Sequence, residues 1–235
     1  MPYPFPDLYA DPLSSPFDAE RFESRLRRLS DRDPFLFPKH HVPDHFRHSS
    51  VLICFWREEE DLRVILTKRA STLSGHPGQM SFPGGKLEPE EEFFSAAIRE
   101  TEEEVGVPRE KIEVLGRLDD AWSGAGHLLV PVVGWLAVQP DFEPNPAEVE
   151  EIHTPSVRHL MSPGAYSEEE ARIGQRTFIN PILSWGSGRL FGLSTDLLIE
   201  ALLWATGEDV EHGSRRLDSL MSFVKREEEE GSGGD

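Results

Sequence analysis

The sequence predicts a mixed α/β domain, on three observations. Short β-branched and apolar runs alternate with stretches of helical periodicity. One of those runs is apolar almost without interruption, as a central strand would be. Two helical stretches end at recognisable capping residues, so strands and helices interleave rather than segregate.

The elements follow in order. Residues 1–16 are rich in proline with isolated aromatics, and read as an arm draped over a surface or left loose. Over 17–29, Phe17, Phe22, Leu26 and Leu29 are spaced for an amphipathic helix, with Ser15 or Asp18 near its start. Pro34 to Pro43 break that pattern. Residues 50–56 and 62–66, separated by a charged run, read as a hairpin. From Thr67 to Lys86 the sequence reads as one long loop, and a loop of that length inside a compact domain is functional or disordered. Residues 112–118 and 128–138 are strands, while 148–159 fits no single element type. Residues 177–183 are a strand, and 194–206 a helix capped by Ser194 or Thr195. The chain ends in an acidic, frayed tail that includes Glu227 to Glu230. There is no internal repeat.

Composition narrows the function. A chain of 235 residues suits one well-buried domain with appendages. A net charge of -19 argues against a general nucleic-acid binder, which needs clustered Lys and Arg. It leaves room for a small anionic substrate, because bound divalent cations invert the local field. No run approaches the roughly 20 apolar residues of a membrane helix. The first residues lack the basic start and apolar core of a secretory signal. A single cysteine, Cys54, fits a reducing compartment, so the expected location is cytoplasmic.

The segment from Gly84 to Val107 carries the most chemical information. Pro89 suits the first turn of a helix and Gly106 its left-handed C-terminal cap. Between them Phe94, Ile98, Thr101 and Val105 form an apolar stripe. Glu100, Glu103 and Glu104 fall within an arc of roughly 100° beside that stripe. On the same face Ala96 and Ala97 are small enough to let a ligand approach. Carboxylates held so close repel unless a cation sits among them, and hard oxygen ligands suit Mg²⁺ or Mn²⁺. Gly84 and Gly85 let backbone N–H groups approach an anion. The blander alternative is a solvated helix in an acidic protein.

One register spans the whole segment: Gly85, Glu91, Arg99, Glu100, Thr101, Glu103, Glu104, Gly106 and Val107. It resembles the motif of the Nudix hydrolases, with every spacing met and Thr101 standing in an aliphatic slot. The resemblance implies an α/β/α sandwich with a mixed sheet over about residues 47–205. Residues 1–46 then form an N-terminal arm and helix, and 206–235 an acidic C-terminal helix and disordered tail. It also implies hydrolysis of a nucleoside diphosphate linked to another group. Glu100, Glu103 and Glu104 would bind one to three Mg²⁺ or Mn²⁺ ions and position a water of lowered pKa. Arg99 would anchor the helix or orient a glutamate, or else form a surface ion pair. For the general base, a helix glutamate or one of Glu148, Glu150 and Glu151 is open.

Upstream, Ile65, Leu66, Thr67, Arg69, Ala70, Gly78, Phe82, Pro83, Gly84 and Gly85 are similar to the signature of the coenzyme A pyrophosphatase branch. Leu66 and Ile65 fill the leading Leu pair only in part, and Ser74 stands where the branch has arginine. Any contact which that arginine makes is weakened or rerouted here. The expected substrate-binding residues are Arg69, His76, Lys86, Gly84 and Gly85. For Arg69 a salt bridge, and for His76 a backbone hydrogen bond, are the structural alternatives. The five Trp residues carry no assigned role. The expected partner is a small nucleotide, coenzyme A or a derivative, with no nucleic acid and no membrane; a homodimer is allowed. Competing substrates are ADP-ribose, dinucleoside polyphosphates and oxidised nucleotides. The reading from another class is a nucleotide-sensing module that has lost catalysis.

Overall fold

The computed structural model describes residues 17–73, 75–173, 176–208 and 212–231. The proline-rich arm, Ser74 and the last four residues of the tail lie outside them. Seventeen of the named elements are used below as α1–α5 and β1–β12. They are α1 (Ala19–Leu26), β1 (Arg47–Glu58), β2 (Asp61–Val64), β3 (Leu66–Arg69), β4 (Met80–Ser81), β5 (Gly84–Lys86) and α2 (Phe93–Val105). Next come β6 (Ile112–Arg117), β7 (Ala121–Ser123), β8 (His127–Leu136), β9 (Val149–His153) and α3 (Val157–Leu160). The last are β10 (Tyr166–Ile173), β11 (Arg176–Trp185), β12 (Gly188–Phe191), α4 (Leu193–Thr206) and α5 (Gly213–Gly231).

The main sheet runs β2-β1-β8-β6, with β5 also paired to β1 and β7 to β8. Strands β1 and β8 are parallel over ten residue pairs, whereas the other pairings in this sheet are antiparallel. It is the mixed sheet that the resemblance implies. Alternation along β1 assigns its two faces. Leu52, Cys54 and Trp56 pack with Ala97 and Val105 of α2. Ile53 and Phe55 pack with Phe22 and Leu26 of α1 and Leu198 of α4. Helices therefore cover both faces, and the sequence pattern of β1 and β8 is apolar at both parities because both faces are buried. Smaller sheets, β4-β3-β9 and β10-β11-β12, adjoin the main one.

Several expectations shift. The predicted loop after Thr67 contains β3, β4 and β5, short pairings that propensity does not reveal. Pro89 lies before α2 rather than in its first turn. Glu91 N–H bonds to Glu88 O, and Glu90 has φ 65, so Pro89 and Glu90 make a type II-like turn. Helix α2 starts at Phe93, four residues later, with Glu92 as N-cap. Phe94 is exposed, and Ala96 and Ala97 are fully buried. Their small size lets the helix lie flat on the sheet instead of admitting a ligand. Helix α4 begins after Gly192, at φ 65, which displaces Ser194 and Thr195 from the capping position. The α1 expectation holds, with the Asp18 carboxylate accepting Arg21 N–H at 3.0 Å. Residues 148–159 resolve into β9 and α3, capped by Ser156. Glu227 to Glu230 belong to the backbone of α5.

A buried ionic network joins four parts of the chain. Asp119 is fully buried and 2.6 Å from Arg32 Nη1. Its carboxylate accepts the backbone N–H groups of Phe35, His212 and Gly213 at 2.8–2.9 Å. Arg216 reaches Glu200 and Asp196, each at 2.7 Å. Burial opposes ionisation of Asp119, but Arg32 and the N–H donors outweigh it and hold the pKa below the ordinary carboxylate range. Sequence periodicity gives no sign of this network, because its members lie up to 184 positions apart, from Arg32 to Arg216.

Candidate active site

Close packing of backbone against side chains builds the site. Gly84 has φ 156, and a Cβ there would stand 2.4 Å from Ser50 O. At Gly85 a Cβ would stand 2.4 Å from the Glu100 carboxyl carbon. Only glycine lets β5 run this close both to β1 and to α2. Replacing Gly85 by Ala is therefore expected to push the Glu100 carboxylate aside. A displacement of about 1 Å can cost roughly 100-fold in kcat. Steady-state kinetics beside a melting curve will check this: a turnover loss under twofold, with the fold intact, would mean that Glu100 need not sit there.

The C-terminal end of α2 positions a carboxylate from elsewhere in the chain. Gly106 adopts the left-handed cap, φ 72. Beyond it, Glu143 N–H donates to Val105 O at 3.0 Å and Asn145 N–H to Glu104 O at 2.9 Å. These bonds satisfy carbonyls that a helix end leaves orphaned. They also hang residues 143–148 on the helix, and Ala70 N–H fixes Glu148 O at 2.8 Å. Glu100, Glu104 and Glu148 consequently each offer an oxygen within 4.8 Å of the others.

That arrangement has an electrostatic cost. The Glu104 side chain, 4% exposed as a residue, is pushed up to about 8 by burial, then by Glu100 and Glu148; Arg69 and the Gly84 N–H offset this in part. Glu100 is also raised, chiefly by burial, with Glu103 and Glu148 adding to it against the pull of Arg99. Three acids in so small a space, two of them reluctant to ionise, form a donor set suited to a divalent cation.

Glu103 stands outside this trio, exposed on the rim, with one oxygen 3.1 Å from Arg99 Nη1. Arg99 forks onto Glu91, its Nε and Nη2 each donating to one carboxylate oxygen at 2.8 and 2.9 Å. The same guanidinium donates to Glu100 at 2.9 Å and to Lys86 O at 3.1 Å. It thus ties the loop before α2 to the helix and steadies Glu100. Of the candidate bases, Glu150 and Glu151 are both held by Lys68, at 2.8 and 2.7 Å, and their pKa values are lowered by it. Among the described residues no Lys or Arg is paired with Glu148. Arg69 donates from Nε to Gly75 O at 3.3 Å and lies near enough to ease the ionisation of Glu104. His76 is exposed at φ 53, at the turn closed by Gln79 N–H. Lys86 is exposed on β5.

Sequence reasoning offered Glu148 only as a candidate base, beside Glu150, Glu151 and the helix glutamates. Its partnership with Glu100 and Glu104 depends on the 143–148 segment returning to the helix, which no local pattern announces.

The chain matches the family model described as the NUDIX domain over residues 46–180. It is 38% identical over 210 residues to the protein named Nudix hydrolase 22, chloroplastic, of Arabidopsis thaliana, covering 83% of this chain and 68% of that one. It is 36% identical over 130 residues to the uncharacterized Nudix hydrolase NudL of Photorhabdus laumondii, covering 55% and 69%. A crystal structure of a NUDIX hydrolase from Nitrosomonas europaea is 18% identical with a TM-score of 0.48, over 72% of this chain and 78% of that one.

Proposed function

The chain belongs to the Nudix hydrolases, and from that premise we propose that it cleaves the diphosphate of coenzyme A or a close derivative in a divalent-metal-dependent reaction. The observation that carries the metal dependence is the trio Glu100, Glu104 and Glu148, within 4.8 Å of one another beside Gly84 and Gly85. Glu100 and Glu104 would hold Mg²⁺ or Mn²⁺, with Glu103 supplying a further carboxylate from the rim. When bound, the ion neutralises charge on the diphosphate and acidifies water. The protein's own contribution is positional. Arg99 holds Glu100 and the β5–α2 loop in place, while the Gly84 and Gly85 backbone brings the diphosphate close. Glu148, free of a cationic partner among the described residues, accepts the proton of the attacking water. The water oxygen bonds to one phosphorus as the bridging P–O bond breaks, giving two phosphate monoesters. In this reading, Arg69, His76 and Lys86 meet the anionic substrate.

The coenzyme A assignment rests on the register of Thr67, Arg69, Ala70, Gly78 and Phe82 to Gly85. No helix among the described residues is long and apolar enough to cross a membrane. A cytoplasmic location is part of the proposal, supported by the single, buried Cys54. The test is a panel of coenzyme A, dephospho-coenzyme A, ADP-ribose and dinucleoside polyphosphates with Mg²⁺, the products identified by mass. Expected products from coenzyme A are 3′,5′-ADP and 4′-phosphopantetheine, with turnover abolished by EDTA and restored by excess Mg²⁺. Activity that persists in EDTA would reject the metal; cleavage of ADP-ribose alone would reject coenzyme A.

A further inference from the structure

On the opposite face of the main sheet from α2 lies a group of cations with no evident structural employment. Arg47 of β1 pairs in register with His127 of β8, and Ser49 of β1 pairs with Lys86 of β5. In-register partners point to the same face, and residues two apart on one strand do too. Arg47, Ser49, Lys86 and His127 therefore share one face across three adjacent strands. Ser49 Oγ lies 2.7 Å from His127 Nδ1, which shows that the side chains converge there. Partial burial, then the charges of Lys86, Arg47 and His76, keep the His127 imidazole below its ordinary pKa.

Two features set this group apart from a solvated charge run. The protein has 43 Asp and Glu against 24 Lys and Arg, and two other cations near the site are engaged by acids: Lys68 by Glu150 and Glu151, Arg99 by Glu91. Among the described residues none of Arg47, Lys86 and His127 is paired with a carboxylate. Mutually repelling cations that an acidic protein leaves unpaired point to an anion from outside. Position adds to this. Lys86 follows Gly85, whose Cα abuts the Glu100 carboxylate on the α2 face. One step along β5 turns the next side chain to the reverse face. Strand β5 has β1 as its only partner among the described residues, so it is an edge around which an extended ligand can pass.

We propose that Arg47, Lys86 and His127, with Ser49 beside them, form a subsite for a phosphomonoester of the substrate, distinct from the diphosphate at the glutamates. The proposal builds on the hydrolase reading above and narrows it: preferred substrates carry a third phosphate, reached around the β5 edge. A nucleotide with only a diphosphate leaves these cations unmatched.

Binding, measured without turnover, tests it. Full-length protein in metal-free buffer is titrated calorimetrically with adenosine 3′,5′-bisphosphate and with 5′-AMP. The wild type should bind the bisphosphate at least about tenfold more tightly. In Arg47→Ala and in Lys86→Ala, both exposed positions that should fold normally, the ratio should fall toward one. The preference should also weaken as salt is raised. In the wild type, bisphosphate binding should raise the His127 imidazole pKa in an NMR titration, a response that a purely structural histidine would not give. Equal binding of the two nucleotides overturns the proposal, as does a preference that survives both substitutions. Displacement of either nucleotide by inorganic phosphate alone, with no preference between them, would indicate an adventitious anion site and also overturn it. Wild type that keeps the preference but cleaves no diphosphate refutes the hydrolase reading and leaves the subsite standing. Cleavage of coenzyme A and dephospho-coenzyme A with equal kcat/KM, alongside equal binding, does the reverse.

Discussion

Glu104→Gln is expected to lower kcat by roughly 10²–10⁴-fold while raising the stability of the metal-free protein at alkaline pH. The substitution keeps the shape of a side chain packed at 4% exposure and removes one of three clustered charges. Its effect on stability follows from the Glu104 pKa, pushed from 4.5 to about 8 by burial and by Glu100 and Glu148. The folded protein then binds a proton that the unfolded chain has released. That contribution is fully present below about pH 4.5, where both states are protonated, and is lost progressively as pH rises to about 8. Metal-free wild type should therefore lose stability over this window, on the order of 4–5 kcal/mol, the gap between 4.5 and about 8 taken at about 1.4 kcal/mol per pKa unit. Glu104→Gln has no such group to ionise and should melt several degrees higher than wild type at pH 8. Mg²⁺ should restore the wild type through binding to the native state and help the variant much less. Parallel melting curves at pH 5 and 8, with and without Mg²⁺, check both parts. Identical pH slopes for the two proteins would remove Glu104 from the cluster's electrostatics, and unchanged turnover would remove it from the chemistry.

Asp119→Ala is expected to be the most destabilising single change considered. The carboxylate is fully buried, pairs with Arg32 at 2.6 Å, and accepts three backbone N–H groups. Alanine strands a buried guanidinium and orphans the N–H donors of Phe35, His212 and Gly213, for a cost of about 3–5 kcal/mol. At roughly 2–4 °C per kcal/mol for a chain of this size, Tm should fall by about 10 °C. Asn, which keeps an acceptor but no charge, should fall between the two. A Tm change under about 2 °C for the alanine variant would show that the network contributes little. Because the same residue bonds at Phe35 and at Gly213, the loss should loosen the N-terminal segment and α5 together, visible as joint loss of hydrogen-exchange protection.

What the sequence determined by itself is what short-range spacing encodes. Glu91, Arg99, Glu100, Glu103 and Glu104 share one helix and the turn before it, so their register carried the family before any fold was known. Gly106 as a left-handed cap and the both-sided apolar pattern of β8 were legible for the same reason: each depends on a few consecutive residues. Where local signals competed, the sequence misled. Pro89 fits a first helical turn or a type II turn equally well, and the choice came from Glu91 being drawn to Arg99. Ala96 and Ala97 fit a ligand face or a buried one, and the choice came from the sheet lying against them. Tertiary structure alone decided that Glu148 joins Glu100 and Glu104, that Lys68 engages Glu150 and Glu151, and that Asp119 meets Arg32. It also gathered Arg47, Lys86 and His127 on one face. Each of these is a meeting of charges far apart in the chain. No periodicity or propensity reports it, because the partners become neighbours only after the strands have paired and the helices have covered them.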